Sequence, residues 1–245
     1  MLAIIGGSGL SQLAILEMKR RRVARTPYGE PSGPLTFGRV SGGEVVFLAR
    51  HGYGHTIAPH EVNYRANLWA LKDAGAAEMI SIASVGGIRK NLAPGSLVVP
   101  HQIIDYTWGR RSTYFDGPGV AVHHADFTEP YTAALRQRLL KAAAGAGEKA
   151  ADGGVYAATQ GPRLETAAEI DRLERDGADI VGMTGMPEAA LARELGLQYA
   201  ALAVVANYAA GRGESGRAIP LDKIEAVLEE AMGRVRGIIE KFCAA

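Results

Sequence analysis

The sequence predicts an α/β fold in which helices flank a central mixed β-sheet. Three observations support it: short apolar runs without polar alternation, helical patterns between these runs, and the lack of a linker that divides the chain. Unalternated apolar runs are typical of strands covered on both faces. The runs are Leu2–Ile5, Val45–Ala49, Met79–Ala83, Leu97–Ile104, Val155–Thr159, Asp179–Met183 and Ala200–Ala206. We therefore expect a single domain over residues 1–245.

Four helices are expected beside these strands. One lies around residues 62–73, and a capping-box pattern at Thr166–Glu169 opens a second that stops near Gly177. Pro187 suits the first turn of a third helix. The stretch Ala142–Gly154 is expected to be a connection. The last helix has the clearest apolar stripe, at Leu221, Ile224, Leu228, Ala231, Val235, Ile238 and Phe242.

Composition narrows the class of protein. The 27 Lys and Arg against 26 Asp and Glu give a formal net charge of +1, so a nucleic-acid partner is not expected. The basic run Lys19–Arg22 is therefore interpreted as a solvated edge. The single cysteine, Cys243, excludes an internal disulfide framework and favours a reducing, cytoplasmic location. No apolar run approaches the roughly 20 residues that span a bilayer, so no membrane association is expected.

Glycine is enriched, with 31 in 245 residues, whereas average usage is about 7%. Three strand-then-glycine turns, at Ile4–Leu10, Ser81–Gly87 and Gly182–Gly185, each carry a hydroxyl group. Each turn alone is also typical of an ordinary tight connection, but the three together indicate a composite anion pocket. The first turn does not match the dinucleotide fingerprint, because Gln12 stands where the third glycine belongs.

Polar residues at other strand ends extend this pattern. Arg50 and His51 directly follow a buried strand, where a two-pronged guanidinium and an imidazole suit a phosphate. A metal site is not expected, because no Asp or Cys joins His51, His55 and His60 at ligand spacing. Glu165 is compatible with a helix-dipole role as well as a binding role. Asn207 ends the last strand, where asparagine commonly forms turns.

Six blocks in this order resemble the trimeric purine nucleoside phosphorylase and methylthioadenosine phosphorylase family, from Ile4 to the last helix. They are Gly6–Leu10, Thr26–Ser32, Leu48–Gly52, His60–Leu71, Gln160–Thr166 and Gly182–Glu188. The resemblance implies the nucleoside phosphorylase fold, a homotrimer, and phosphorolysis of a nucleoside with inorganic phosphate as co-substrate. It implies no metal and no organic cofactor.

The resemblance also implies residue roles. The phosphate ligands would be Ser8, Arg50, His51, Ala83, Ser84 and Thr184. Met183 would lie against the ribose, and Glu165, Asn207, Tyr208 and Ala209 would face the purine. Glu165, Asn207 and His51 would be the catalytic residues. Leu221 and Ile224 would line the pocket for the 5′-substituent, and His124 would reach in from a neighbouring subunit.

Two positions depart from the methylthioadenosine branch, which has serine in place of Glu165 and Asp-Tyr-Asp in place of Asn207–Ala209. A carboxylate accepts the N1–H of a 6-oxopurine and repels the N1 lone pair of a 6-aminopurine. Asn207 donates to O6, where an aspartate would serve a 6-amino group. We therefore expect a 6-oxopurine base.

The 5′-pocket residues point to the sugar substituent. Leu221 and Ile224 are apolar, which suits a methylthio group better than a hydroxyl; their alternative role is ordinary core packing. The expected reaction converts S-methyl-5′-thioinosine to hypoxanthine and 5-methylthioribose 1-phosphate. The alternatives are phosphorolysis of methylthioadenosine, phosphorolysis of inosine or guanosine, and a nucleoside-binding protein without turnover.

Overall fold

A large sheet dominates the computed structural model, which describes residues 1–244. Its eleven strands are β1 (Leu2–Gly6), β2 (Glu17–Arg22), β3 (Leu35–Val40), β4 (Gly43–Ala49), β5 (Glu78–Gly87), β6 (Leu97–Val99), β7 (Gln102–Asp105), β8 (Ala150–Asp152), β9 (Val155–Ala158), β10 (Ile180–Gly182) and β11 (Gln198–Tyr208). The helices are α1 (Tyr64–Asp73), α2 (Ala133–Gly145), α3 (Ala167–Arg175), α4 (Gly185–Glu194) and α5 (Leu221–Ala244), with a 3₁₀ turn at Gly213–Ser215.

The sheet is mixed, which confirms the predicted α/β class. Its main order is β2-β3-β4-β1-β5-β10-β9-β7, and β11 branches from β5 toward β6 and β8. Strand β5 pairs in parallel with β1 over its first half and with β11 along its whole length. Its last residues pair with the antiparallel β10. The parallel strands β1, β4, β5 and β11 therefore end at one edge of the sheet, where ligands of α/β proteins bind.

Helices cover both faces of the sheet. Side chains of β5 alternate between the two faces, so that Met79 packs with α1 and α4, whereas Ile80 packs with α2 and α5. Both residues are fully buried. This double coverage explains why the central strands lack polar alternation. None of the helices within residues 1–244 is long and apolar enough to cross a bilayer.

The element predictions differ from the structure at the sheet margins. The run Leu97–Ile104 is two strands, because Pro100 lacks the N–H that a continuous ladder needs. The predicted connection Ala142–Gly154 contains the end of α2 and strand β8. The Thr166 capping box is confirmed, with both reciprocal hydrogen bonds present. The basic run forms β2, an exposed edge strand.

Candidate active site

A cavity of about 480 Å³ lies at the sheet edge where the parallel strands end. Most of the predicted site residues line it. They are Ser8, Arg50, His51, Ser84, Glu165, Met183, Thr184, Asn207, Ala209 and Ile224. Segments far apart in the sequence therefore meet in one pocket, as the expected composite site requires.

The first glycine turn forms part of the cavity wall. Leu10 N–H donates to the Gly7 carbonyl at 3.0 Å, and Gly9 sits at φ +80°, a conformation that glycine adopts without strain. Gly7 is needed for a second reason. A Cβ there would lie 2.8 Å from Arg50 Nη1 and 2.6 Å from the Ile82 carbonyl oxygen. The turn thus packs its backbone directly on Arg50.

Arg50 is 1% exposed and makes a paired contact with a carboxylate. Its Nε donates to Glu188 Oε2 at 2.7 Å and its Nη2 to Glu188 Oε1 at 3.1 Å. Nη2 also donates to Ser81 Oγ at 2.7 Å, and Nη1 to the Ile82 carbonyl at 3.0 Å. The expectation that Arg50 offers its two-pronged face to phosphate is therefore wrong, because Glu188 occupies that face. One N–H of Nη1 remains beside Gly7.

The ion pair also changes the charge of the site. Burial disfavours a charged guanidinium, but the Glu188 carboxylate more than offsets this, so the pKa of Arg50 lies above its ordinary value. Arg50 stays charged, and Glu188 neutralises it at close range. An anion in this cavity would therefore meet chiefly dipoles and hydroxyl groups rather than uncompensated positive charge.

His51 is buried beside Arg50, and its Nδ1 lies 2.8 Å from the Ile57 carbonyl. A carbonyl only accepts, so Nδ1 carries the proton and Nε2 presents a lone pair. Burial, together with the neighbouring Arg50, lowers the pKa of His51 to about 4. A neutral imidazole with an acceptor nitrogen is thus built into the cavity wall.

Hydroxyl groups complete this end of the cavity. Ser84 Oγ donates to the Ser8 carbonyl at 3.2 Å, which joins the first and second glycine turns. Thr184 is buried just before α4, and Met186, whose backbone is non-helical, separates it from the regular turns of that helix. The side chain of Thr184 lies in the cavity wall beside the Tyr156 hydroxyl.

Glu165 also lines the cavity, just before the capped N-terminus of α3. Its Oε1 accepts a hydrogen bond from Thr159 Oγ1 at 2.6 Å, which fixes the orientation of the carboxylate. Thr166, the next residue, is held in the capping box with Glu169. The second oxygen, Oε2, is left to a ligand.

Asn207 reaches the cavity through a bulge in β11. The pairing register with β5 shifts between Val205 and Asn207, so that Ala206 is an extra residue. In a regular strand Ala206 and Asn207 would face opposite sides, but both line the cavity. One amide N–H of Asn207 donates to the Tyr208 carbonyl at 2.7 Å. The second N–H and Oδ1 remain for recognition of a ligand.

Four predicted residues do not line this cavity. Ala83 is buried in the hydrophobic core. The Tyr208 ring packs against Gly213, where a Cβ would lie 2.6 Å from it. Leu221, predicted on the inner face, is 65% exposed at the first residue of α5. His124 is exposed, on the long segment before α2.

Arg110 was not predicted, although it braces the cavity. It donates to the carbonyl oxygens of Met183 and Met186 at 2.7 and 2.6 Å. On its other side it donates to the Gln160 carbonyl at 2.8 Å. It therefore ties the turn that carries Thr184 to the segment that carries Glu165. An arginine pair in a loop is typical of a surface segment, so the sequence offers no signal for this role of Arg110.

Comparison with known proteins decides the family, since a model described as the phosphorylase superfamily matches residues 1–244. The chain belongs to the phosphorylase superfamily. A relative from Pseudomonas syringae pv. tomato, named "Probable S-methyl-5'-thioinosine phosphorylase", is 54% identical over 243 residues, 99% of this chain and 98% of the relative. The "6-oxopurine nucleoside phosphorylase" of Pyrococcus furiosus is 47% identical over 215 residues, 86% of this chain and 80% of the relative.

Solved structures of this superfamily share the fold. Methylthioadenosine phosphorylase from Schistosoma mansoni, in complex with adenine, superposes with a TM-score of 0.94 at 34% identity, over 99% of this chain and 90% of that one. Its apo form gives a TM-score of 0.90 with the same coverage. The predicted nucleoside phosphorylase fold is therefore confirmed.

Proposed function

We propose that this phosphorylase cleaves S-methyl-5′-thioinosine with inorganic phosphate, giving hypoxanthine and 5-methylthioribose 1-phosphate. The observation that carries the proposal is that Glu165 and Asn207 line the same cavity as the turns that carry hydroxyl groups. The names of the 54% identical relative and of the 6-oxopurine relative support the same base class.

The base end of the cavity suits a 6-oxopurine. Glu165 Oε2 accepts the N1–H of hypoxanthine, while Thr159 holds Oε1. The remaining N–H of Asn207 donates to the other polar edge of the purine, at O6 or N7. An adenine would place its N1 lone pair against a carboxylate, and an unmatched buried polar group costs about 1–3 kcal/mol.

The anion end suits a phosphate dianion that carries one proton. Ser8 and Thr184 offer hydroxyl groups, Arg50 offers its remaining N–H, and the Ser84 hydroxyl donates to phosphate by leaving the Ser8 carbonyl. The phosphate P–OH donates to the lone pair on His51 Nε2, since the other ring nitrogen is committed to Ile57. This arrangement selects one orientation of the nucleophile without a net positive pocket.

The reaction needs no enzyme nucleophile. A phosphate oxygen forms a bond to C1′ as the C1′–N9 bond breaks, and the bonding pair leaves with the purine. The phosphate loses its proton on becoming an ester, and the purine gains one, so charge and protons balance. Asn207 stabilises the negative charge that builds on the departing base at O6 or N7, while Glu165 orients the base through its N1–H. Phosphate is the co-substrate, and the reaction as proposed uses no metal and no organic cofactor.

We also propose that the functional unit is a cytoplasmic homotrimer, with His124 of one subunit beside the sugar pocket of the next. The segment around His124 carries exposed apolar side chains, including Trp108 at 72% and Val122 at 78% exposure. Exposed apolar residues concentrated in one segment favour a protein interface.

Phosphate-dependent base release from S-methyl-5′-thioinosine, methylthioadenosine and inosine tests the proposal. We expect methylthioinosine to have the highest kcat/KM. Methylthioadenosine as the best substrate would overturn the base assignment, and inosine as the best would overturn the sugar assignment. Tight binding without any phosphate-dependent product would instead indicate a nucleoside-binding protein.

A further inference from the structure

Four of the five N–H groups of Arg50 are committed to partners inside the protein. Nε and one N–H of Nη2 donate to Glu188, the second N–H of Nη2 donates to Ser81 Oγ, and one N–H of Nη1 donates to the Ile82 carbonyl. The fifth N–H, on Nη1, has no acceptor among residues 1–244 and lies beside Gly7 in the cavity wall. Arg50 therefore meets an anion through a single N–H, whose direction depends on how the guanidinium is held.

Two hydroxyl groups support the Glu188 carboxylate from the sheet. Ser81 Oγ donates to Glu188 Oε1 at 2.6 Å, and the Tyr199 hydroxyl donates to the same oxygen at 2.9 Å. Tyr199 on β11 pairs with Met79 on β5, two residues before Ser81. Because side chains two residues apart in a strand point to the same face, the register of the two strands brings both hydroxyls under α4.

The two oxygens of the Glu188 carboxylate have unequal partners. Oε1 accepts hydrogen bonds from Ser81, from Tyr199 and from Arg50 Nη2, whereas Oε2 accepts one, from Arg50 Nε. All four side chains are at most 2% exposed, so the carboxylate depends on these partners rather than on solvent. Burial and the Glu188 carboxylate hold the pKa of Tyr199 well above its ordinary value, so its hydroxyl stays protonated and donates.

The two hydroxyl groups act on Arg50 in two ways. They fix the carboxylate, and through it the plane of the guanidinium, which sets the direction of the remaining Nη1–H. They also draw part of the negative charge of Glu188 into their own hydrogen bonds, so more of the positive field of Arg50 is left toward the cavity. Both effects strengthen the contact between Arg50 and an anion.

We propose that Ser81 and Tyr199 are positioning residues for phosphate, which act through Glu188 on the one uncommitted N–H of Arg50. The inference rests on the proposed function, since it takes phosphate as the anion in the cavity. Neither Ser81 nor Tyr199 lines the cavity, so neither contacts the nucleoside. Loss of either hydroxyl therefore weakens the binding of phosphate and leaves the binding of the nucleoside unchanged.

Tyr131 supplies a matched control. Its ring stacks on the Tyr199 ring, with centroids 5.7 Å apart and an interplanar angle of 17°, and both residues are 2% exposed. The Tyr131 hydroxyl, however, has no hydrogen-bond partner among residues 1–244. Tyr131→Phe and Tyr199→Phe thus each remove one buried hydroxyl from the same ring pair, and only Tyr199→Phe removes a donor to Glu188.

The test measures the phosphate affinity of the full-length protein in two ways. One is the KM for phosphate at saturating methylthioinosine, and the other is the rise of Tm with the concentration of inorganic phosphate, which requires no nucleoside. We expect Tyr199→Phe and Ser81→Ala each to raise the KM and the Kd for phosphate about fivefold, the size of one hydrogen bond. The KM for the nucleoside at saturating phosphate should not change, whereas a general loss of structure would raise both KM values.

Tyr131→Phe should keep the wild-type affinity for phosphate. Equal phosphate affinity in Tyr199→Phe, Ser81→Ala and the wild type would overturn the inference. An equal loss of affinity in Tyr131→Phe would also overturn it, because the effect would then come from packing of the tyrosine pair. If methylthioinosine is not cleaved but phosphate still raises the Tm, the proposed substrate is wrong, and the Tm measurement still tests Ser81 and Tyr199. If phosphate neither raises the Tm of the wild type nor supports cleavage, the proposed function is overturned and the inference with it.

Discussion

The side-chain amide of Asn207 is proposed to distinguish a 6-oxopurine from a 6-aminopurine. One N–H is used by the Tyr208 carbonyl, so the other N–H is the donor that a 6-oxopurine receives. Asn207→Asp replaces this donor by an acceptor suited to a 6-amino group. We expect the ratio of the kcat/KM for methylthioadenosine to the kcat/KM for methylthioinosine to rise about tenfold. The change of specificity is incomplete, because Glu165 still faces N1. Unchanged selectivity would show that Asn207 does not read the base.

His51 gives the protein an acid-sensitive stability. Burial lowers its pKa to about 4 in the folded chain, below the ordinary value of 6.5. The unfolded chain therefore binds more protons between these values, and stability is lost as pH falls from about 6.5 toward 4. The loss is on the order of 2–3 kcal/mol.

Urea unfolding of the wild type and of His51→Gln at pH 7 and pH 4.5 measures this effect. The variant should lose less stability on acidification than the wild type, since the titrating group is gone. His123→Gln, at an exposed position, serves as the control and should follow the wild type. Equal acid sensitivity in His51→Gln and the wild type would contradict the assignment.

At the scale of elements, α4 is tied to the sheet by one buried ion pair. Arg50 follows β4, and Glu188 on α4 meets it with both side chains 1% exposed. Glu188→Gln leaves the guanidinium with an uncompensated buried charge, so we expect a loss of about 3–5 kcal/mol in the free energy of unfolding.

Denaturant unfolding measures the free energy of unfolding of Glu188→Gln, and Glu174→Gln serves as the control variant. Glu174 on α3 pairs with Arg212 at 2.7 Å, but the carboxylate is exposed, so its loss should cost under about 1 kcal/mol. If Glu188→Gln loses no more free energy of unfolding than Glu174→Gln, the buried ion pair contributes little to the packing of α4 on the sheet.

The elements show what the sequence was able to predict. The central strands were found because burial on both faces leaves them uniformly apolar, and α3 because its capping box is local. Strand β2 is charged at five of its six positions, so no apolar run marks it. Helix α2 contains a run of small alanines, which reads equally as a connection.

In the candidate site, too, features with a local sequence signal were predictable and features that depend on long-range contacts were not. Turns that carry their signal in adjacent residues, such as Gly6–Leu10, were found. The pairing of Arg50 with Glu188 joins residues 138 positions apart, and Arg110 bridges carbonyl groups brought together only by folding. Periodicity and spacing do not encode such long-range partners, so the two-pronged face of Arg50 is expected to bind phosphate, whereas in the structure it binds the Glu188 carboxylate.

For the whole molecule, the proposed trimer predicts a mass three times that of the 25.9 kDa chain. Sedimentation equilibrium measures it directly. Val122→Asp places a charge on an exposed apolar position and should lower the mass toward one chain, whereas Val23→Asp, also exposed but on the far edge, should not. A wild-type mass of a single chain would contradict the trimer.

The exposed strand β2 has a consequence for the solubility of the whole molecule. It ends the sheet with free backbone groups, an edge on which a second copy is able to add its own strand. Lys19 and three arginines follow one another there, and Arg20 and Arg22 lie over the Phe37 ring. Because two such edges repel each other, the positive charge of strand β2 opposes edge-to-edge pairing of sheets from different copies, and so opposes fibre formation.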